Sequence, residues 1–307
     1  MNKDNLESVQ IVKKMCQKMG YKSLKRTNGF IYISFLYLLL NTLEFTIIKL
    51  YFNYTNQKEF KFSISEQNVL NLKNAFMIGS IIIPCSYYIL NLIYQNNKIW
   101  DKIFKEDYPT TLISSSEKRR EKHFIKYPIN TYSSTFLFNV GFYLIFRRKS
   151  IDNGVVAVWL GMLFNLLGIF SSLWWSTSKN IIRKLDNLFM EVHLLYLTLS
   201  YITIINPQYT NMINFYIIVY AIIRYKYIKN AKIVTLFFLE HIMSLYLCFH
   251  LKNVGNEIIY HLGNIFILMG FYYKIKDYLL KCNYGTGLFH IFAPISILLH
   301  YEWSLTL

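Results

Sequence analysis

The chain has 307 residues, of which 54% are apolar, 18% aromatic and only 16% charged, and its net charge is +16. This composition, with few Gly and Pro, is unlike that of an ordinary water-soluble domain. So basic a chain could bind nucleic acid, but its charges are spread over several loops rather than clustered on one soluble face. No nucleic-acid partner is therefore predicted.

Nine apolar segments recur along the chain, most of them close to the roughly 20 residues that a helix needs to cross the hydrocarbon core of a bilayer. A helix is favoured there because it satisfies its own backbone hydrogen bonds. The sequence therefore predicts an all-α, polytopic transmembrane helical bundle with about nine spans. The predicted spans are 29–52, 75–95, 131–146, 154–175, 187–206, 208–223, 233–250, 257–273 and 286–305.

Lysine and arginine fall mainly on one side when these segments are threaded alternately through the membrane. With the N-terminus inside, the inner segments carry 25 of the 33 basic residues and the outer segments carry 7. Basic residues are retained on the cytoplasmic side during insertion, so we expect a cytoplasmic N-terminus and an outside or lumenal C-terminus. The same loops predict contact with the anionic head groups of membrane lipids.

A charged segment separates two leading spans from seven later ones and indicates the domain organisation. We expect a basic cytoplasmic N-terminus over 1–28, a transmembrane hairpin over 29–95, a charged cytoplasmic loop over 96–130 and a seven-helix core over 131–307. The mixed charges of the loop are typical of a solvated segment.

Three polar residues are predicted to meet near the cytoplasmic face. The span 154–175 reaches that face soon after Ser171, and the next span begins there just after Asp186. The last span starts from the same side, with His290 in its first turns. Polar groups at membrane depth are costly and usually point into a bundle. These three side chains are therefore the first candidates for a catalytic or binding site.

Four short polar motifs follow one another along the predicted core. They are Asn130-Thr131-Tyr132-Ser133, the run from Ser171 to Trp175, Leu185-Asp186-Asn187-Leu188, and Gly287-Leu288-Phe289-His290-Ile291-Phe292. In order, spacing and membrane face they resemble the Asn-Thr-x-Ser, Ser-x-x-x-His, Leu-Asp-Glu-Leu and closing His-x-x-x-His motifs of the alkaline ceramidases. The resemblance covers about residues 130–307. It extends to the superfamily of seven-helix membrane hydrolases that also includes the progestin and adiponectin receptors.

The resemblance implies a zinc ion held by three histidines, with a metal-bound water that attacks a lipid amide. Zinc hydrolysis needs three protein ligands and an open position. In this chain Trp175 and Thr286 stand where the first two histidines are expected, and only His290 remains. Neither an indole nor a threonine hydroxyl is a normal zinc ligand, so the zinc site is expected to be degenerate.

Two interpretations of the site stay open. His193 lies two helical turns after Asp186 on the same face. In the first interpretation His290, His193 and Asp186 rebuild a metal site, and zinc is the expected cofactor. In the second, Ser171, Asp186 and His290 form a metal-free hydrogen-bonded cluster, and no cofactor is expected.

The expected function is that of a non-catalytic lipid-binding or membrane-organising relative of the ceramidases. Membrane lipids are the expected partners, and the resemblance points to sphingolipids such as ceramide. The first alternative is a metal-dependent hydrolase of lipid amides. It would hold its metal with His290, Asp186 and His193, and its candidate catalytic residues are Ser171, Asp186 and His290. The second is a transporter in which Glu44, deep in the first span, and the intramembrane histidines act as a relay. The sequence argues mildly against it, because no inverted repeat or pair of broken helices is evident.

Overall fold

In a computed structural model, the structure describes residues 66–94, 115–120, 123–147, 154–227, 233–251 and 255–307. Every regular element in these residues is a helix, which confirms the all-α prediction. The helices are α1 (Glu66–Met77), α2 (Ile83–Tyr94), α3 (Pro128–Ser134), α4 (Leu137–Arg147), α5 (Gly154–Thr177), α6 (Asn180–Ile205), α7 (Thr210–Tyr227), α8 (Ile233–Leu251), α9 (Glu257–Leu280) and α10 (Gly285–Ser304). The predicted span 29–52, with Glu44, lies outside the described residues.

Four helical stretches in the described part of the chain are long and apolar enough to cross a membrane. They are Gln67–Ile93, Gly154–Thr177, Asn180–Ile205 and Glu257–Asp277. The protein therefore has the helices expected of an integral membrane protein. The predicted count of about nine spans is not confirmed. The other predicted spans, apart from 29–52, coincide with helices. Within the described residues, Ile242–Leu251 of α8 is a shorter apolar stretch.

The helices α1 and α2 are joined by a π-helical turn at Ile78–Ile82, directly before Pro84. Proline lacks a backbone N–H and so removes one hydrogen bond of a helix. A π turn is a common adjustment of the helical hydrogen bonds beside such a position. The turn packs closely against α4, because a Cβ atom on Gly79 would lie 2.1 Å from Oδ1 of Asn139. The Asn139 amide also donates to Ser80 Oγ at 2.7 Å. This first stretch is thus docked on the later helices.

The third predicted span is broken into α3 and α4. The hydroxyls of Ser133 and Ser134 both donate to the carbonyl of Asn130, and that of Thr135 donates to the carbonyl of Tyr132. Side chains that bond to the backbone in this way compete with the helical ladder. The break places two serine hydroxyls at the end of α3, where they face the later helices.

The helix α6 lies at the centre of the bundle, in contact with α5, α7, α8 and α10. Its Tyr196 and Tyr201 are buried in the main apolar core. At the periphery large apolar side chains stay exposed, and Phe215, Ile222 and Ile258 are 69%, 64% and 70% exposed. So much exposed apolar surface fits helices that face lipid rather than water.

The helix α9 extends beyond the predicted span 257–273 and continues to Leu280. Lys274 and Asp277 are therefore helical and lie one turn apart. The helix α10 then folds back along α9, starting at Gly285. A Cβ atom on Gly285 would lie 2.4 Å from the carbonyl oxygen of Tyr273, so only glycine allows this approach.

Candidate functional site

Ser171, Asp186 and His290 lie in one polar cluster at the ends of α5, α6 and α10. Ser134 Oγ is 3.0 Å from Ser171 Oγ and 3.1 Å from His290 Nδ1. Ser133 Oγ is also 3.1 Å from the same nitrogen. The Asp186 carboxylate lies next to the Ser171 hydroxyl and interacts with it. The structure thus brings the three predicted residues together, while their catalytic role stays a prediction.

Lys274, from α9, places its ammonium group in this cluster. Its Nζ donates to Thr286 Oγ1 at 2.8 Å and attracts the carboxylates of Asp186 and Asp277. It also lies within electrostatic range of His290. A positive charge in the cluster is therefore supplied by a side chain of the protein.

Asp277 joins three parts of the chain at the edge of the cluster. It is 1% exposed and accepts hydrogen bonds from the backbone N–H and the hydroxyl of Thr286. It also accepts from the backbone N–H and the hydroxyl of Ser116, in the charged segment before α3. Sequence reasoning missed Lys274 and Asp277, although their separation by three residues is typical of an ion pair on one helix face.

The charged segment is not only solvated, because Glu117 is buried against the start of α3. Its carboxylate accepts the backbone N–H groups of Ile129 at 2.6 Å and Asn130 at 2.9 Å. These N–H groups have no partner within the helix, and a carboxylate at a helix N-terminus is favoured. Burial raises the pKa of Glu117 above its ordinary value, and the two N–H groups oppose this rise.

Trp175 lies beside His290, with 6.0 Å between the ring centroids. Its side chain is 5% exposed, and its ring packs edge-on against Tyr127. The indole Nε1 is buried and has no hydrogen-bond partner among the described residues. Oδ1 of Asn130 is likewise buried and has no hydrogen-bond partner among the described residues. The backbone of Asn130 also faces His290. Among the described residues, these two atoms are thus a buried donor and a buried acceptor beside the cluster that lack hydrogen-bond partners.

The contacts of His193 lie outside the cluster. Its Nδ1 bonds to the carbonyl of Phe189 at 2.9 Å, and its ring packs against Phe164 at 5.0 Å between centroids. In the described ranges no group of three His, Cys, Asp or Glu residues is arranged to hold a metal ion. The set His290, His193 and Asp186 is thus not assembled.

The residues present do not fit the zinc site that the resemblance implies. Trp175 and Thr286 offer no normal zinc ligand, and the Thr286 hydroxyl is held between Lys274 and Asp277. The Nδ1 of His290 is within hydrogen-bonding distance of two serines. A lysine ammonium next to these groups would also repel a divalent cation.

A second buried polar group lies further along the bundle and connects four helices. The Tyr201 hydroxyl donates to Glu240 Oε1 at 2.8 Å, and Ser244 Oγ is 3.3 Å from the same oxygen. His300 Nδ1 is 3.9 Å from this oxygen, and its Nε2 is 3.2 Å from Asn264 Oδ1. These side chains satisfy one another, and they stabilise the packing of α6, α8, α9 and α10.

Comparisons of the chain with protein-family models, with curated proteins and with solved structures give no match. The likeness to the ceramidase superfamily therefore stays a prediction from the four motifs. The geometry of the cluster is the remaining basis for a functional proposal.

Proposed function

We propose that the protein is a multi-pass membrane protein that binds a lipid at the polar cluster without hydrolysing it. The observation that carries this proposal is the ammonium group of Lys274, held by Thr286 beside Asp186 and His290. A built-in cation neutralises the carboxylates that a metal ion would otherwise bind. This observation supports the proposal that the cluster is a metal-free relative of a zinc site.

A lipid head group is the ligand that the unsatisfied polar atoms favour. Trp175 Nε1 can only donate a hydrogen bond and Asn130 Oδ1 can only accept one. Buried polar groups without partners are costly, so a bound molecule that satisfies both is stabilised. An amide or hydroxyl head group supplies both an acceptor and a donor, as ceramide does. A sphingolipid of this kind is therefore our proposed ligand class.

The proposed topology places this cluster on the cytoplasmic side. The excess of lysine and arginine on the inner segments supports a cytoplasmic N-terminus and an outside or lumenal C-terminus. The ligand would enter from the cytoplasmic leaflet, next to the ends of α5, α6 and α10.

The test is ceramide binding by the purified full-length protein in lipid nanodiscs, measured by native mass spectrometry. The variant Trp175→Phe keeps an aromatic ring and removes the indole donor. We expect it to weaken ceramide binding roughly fivefold, the value of one neutral hydrogen bond. The matched control is Trp174→Phe, the neighbouring buried tryptophan, and its binding should stay within about twofold of the wild type if only the Trp175 donor matters. Equal binding by Trp175→Phe and the wild type would refute the lipid site.

The rival function, a metal-dependent lipid amide hydrolase, is favoured by the meeting of Ser171, Asp186 and His290. The same preparations decide it through metal analysis and an assay for ceramide turnover. We expect no stoichiometric zinc and no turnover. Stoichiometric zinc, with turnover that is lost both in His290→Ala and with a chelator, would replace our proposal with the hydrolase.

A further inference from the structure

A groove opens on the outside of the bundle between α6 and α7, away from the polar cluster. It has a volume of about 660 Å³ and is lined by Lys184, Leu188, Ala221, Ile222, Tyr225 and Lys226. We call it the α6–α7 groove. The helices run antiparallel through the turn at Pro207–Tyr209, so the early residues of α6 lie beside the late residues of α7. The groove is therefore at one end of this helical hairpin.

The lining of the groove is amphipathic. Lys184 and Lys226 are exposed, one from each helix, whereas Leu188, Ala221 and Ile222 form an apolar wall. Lysine can lay its methylene stem along apolar surface while its ammonium group stays at the polar boundary. A ligand that fits this lining has an anionic head and an apolar chain.

The wall of the groove is held by a buried ion pair. Arg224 donates to Glu191 through Nε at 2.5 Å and through Nη2 at 2.7 Å, and both side chains are buried. This bidentate pair ties α7 to α6 one turn from the groove. It also neutralises the charge of Arg224, so the two lysines carry the attraction for an anion.

We propose that the α6–α7 groove binds an anionic phospholipid, with the phosphate between Lys184 and Lys226 and an acyl chain along Leu188 and Ile222. Ile222 and Tyr225 are 64% and 47% exposed, so the groove opens towards the surrounding lipid rather than into the bundle. Basic sites between membrane helices are suited to anionic head groups. This site is separate from the polar cluster and does not depend on ceramide binding there.

The experiment measures binding of short-chain phosphatidylserine to the detergent-solubilised full-length protein by native mass spectrometry, with phosphatidylcholine as the neutral lipid. The double variant Lys184→Gln and Lys226→Gln should weaken phosphatidylserine binding by roughly tenfold or more. Its phosphatidylcholine binding should not change. The conservative double variant Lys184→Arg and Lys226→Arg should keep the preference for the anionic lipid.

The matched control removes the same charge from another part of the protein. Lys276→Gln with Lys281→Gln alters the end of α9, where Lys276 lies over the ring of Tyr272 and Lys281 is exposed. This control should retain phosphatidylserine binding. An equal loss in both double variants, or no loss in the groove variant, would overturn the proposal. Equally strong binding of inorganic phosphate would overturn it too, because the apolar wall would then contribute nothing.

Discussion

The ion pair between Glu191 and Arg224 is the residue-scale feature with the largest expected effect on stability. Removing one partner of a buried pair leaves an uncompensated charge, which costs about 3–5 kcal/mol. We therefore expect Glu191→Gln to lower the free energy of unfolding by about that amount. The measurement is urea or thermal unfolding of the purified protein in a mild detergent.

The control for this prediction replaces both partners. Glu191→Leu combined with Arg224→Met removes the charges together and keeps the volume filled, which is often close to neutral. The double variant should therefore be more stable than Glu191→Gln. If the single variant were as stable as the wild type, the pair would be open to water rather than buried.

The sequence predicts some residues of the cluster and not others. The difference lies in how each side chain interrupts the apolar pattern. Ser171, Asp186 and His290 were found because each lies at a predicted span end on one membrane face. Lys274 and Asp277 were missed because two charges in a hydropathy window indicate a loop. In the structure each charge compensates the other within one helix turn, so the helix continues and both side chains stay in the cluster.

At the scale of the helices, close contact between α4 and α5 depends on two glycines. A Cβ atom on Gly161 would lie 2.5 Å from the carbonyl oxygen of Gly141, a backbone atom that cannot move without shifting its helix. Small residues allow membrane helices to approach in this way. We expect Gly161→Ala to lower the free energy of unfolding by about 1–3 kcal/mol, as overpacking does.

Gly270 of α9 provides the control. A Cβ atom there would have its nearest contact, Phe289 Cδ2, at 3.4 Å, close to ordinary van der Waals distance. Gly270→Ala should therefore be neutral, or stabilise α9 by up to about 1 kcal/mol through helix propensity. Unfolding of the two alanine variants under the same conditions checks the difference. Equal stability of both would mean that α4 and α5 are not in close contact.

The helix boundaries were predictable only where the sequence changes from apolar to polar. The span 154–175 matches α5 to within two residues, because a long apolar run ends in serine, threonine and lysine. The break between α3 and α4 was missed because it arises from hydroxyl side chains that bond to the backbone, and a hydropathy pattern does not record such bonds. Local hydrogen bonding, rather than hydrophobicity, decides this boundary.

At the scale of the whole molecule, the all-α class follows from apolar segments whose backbone must form its own hydrogen bonds in lipid. The packing arrangement did not follow, because it depends on buried polar contacts between distant helices. An example is the series of polar contacts from Tyr201 through Glu240 to His300. Nothing in the sequence marks these three residues as a set. Periodicity predicts that a helix has a buried face, and only the assembled bundle shows which partner it meets.

The direction of threading is the remaining whole-molecule prediction, and single cysteines can test it. In a background where Cys16, Cys85, Cys248 and Cys282 are alanine, Gln208→Cys lies in the exposed turn between α6 and α7. Asn283→Cys lies in the exposed turn between α9 and α10.

The asymmetry of basic residues predicts that a membrane-impermeant maleimide labels Gln208→Cys on intact cells and labels Asn283→Cys only after permeabilisation. The opposite labelling pattern would show that the topology is inverted. The α6–α7 groove would then face the outer or lumenal leaflet, where anionic lipids are scarce, and its lysines would lack the ligand that we propose in the cell. Labelling of both sites from one side would instead show that α6 to α9 do not span the membrane as threaded.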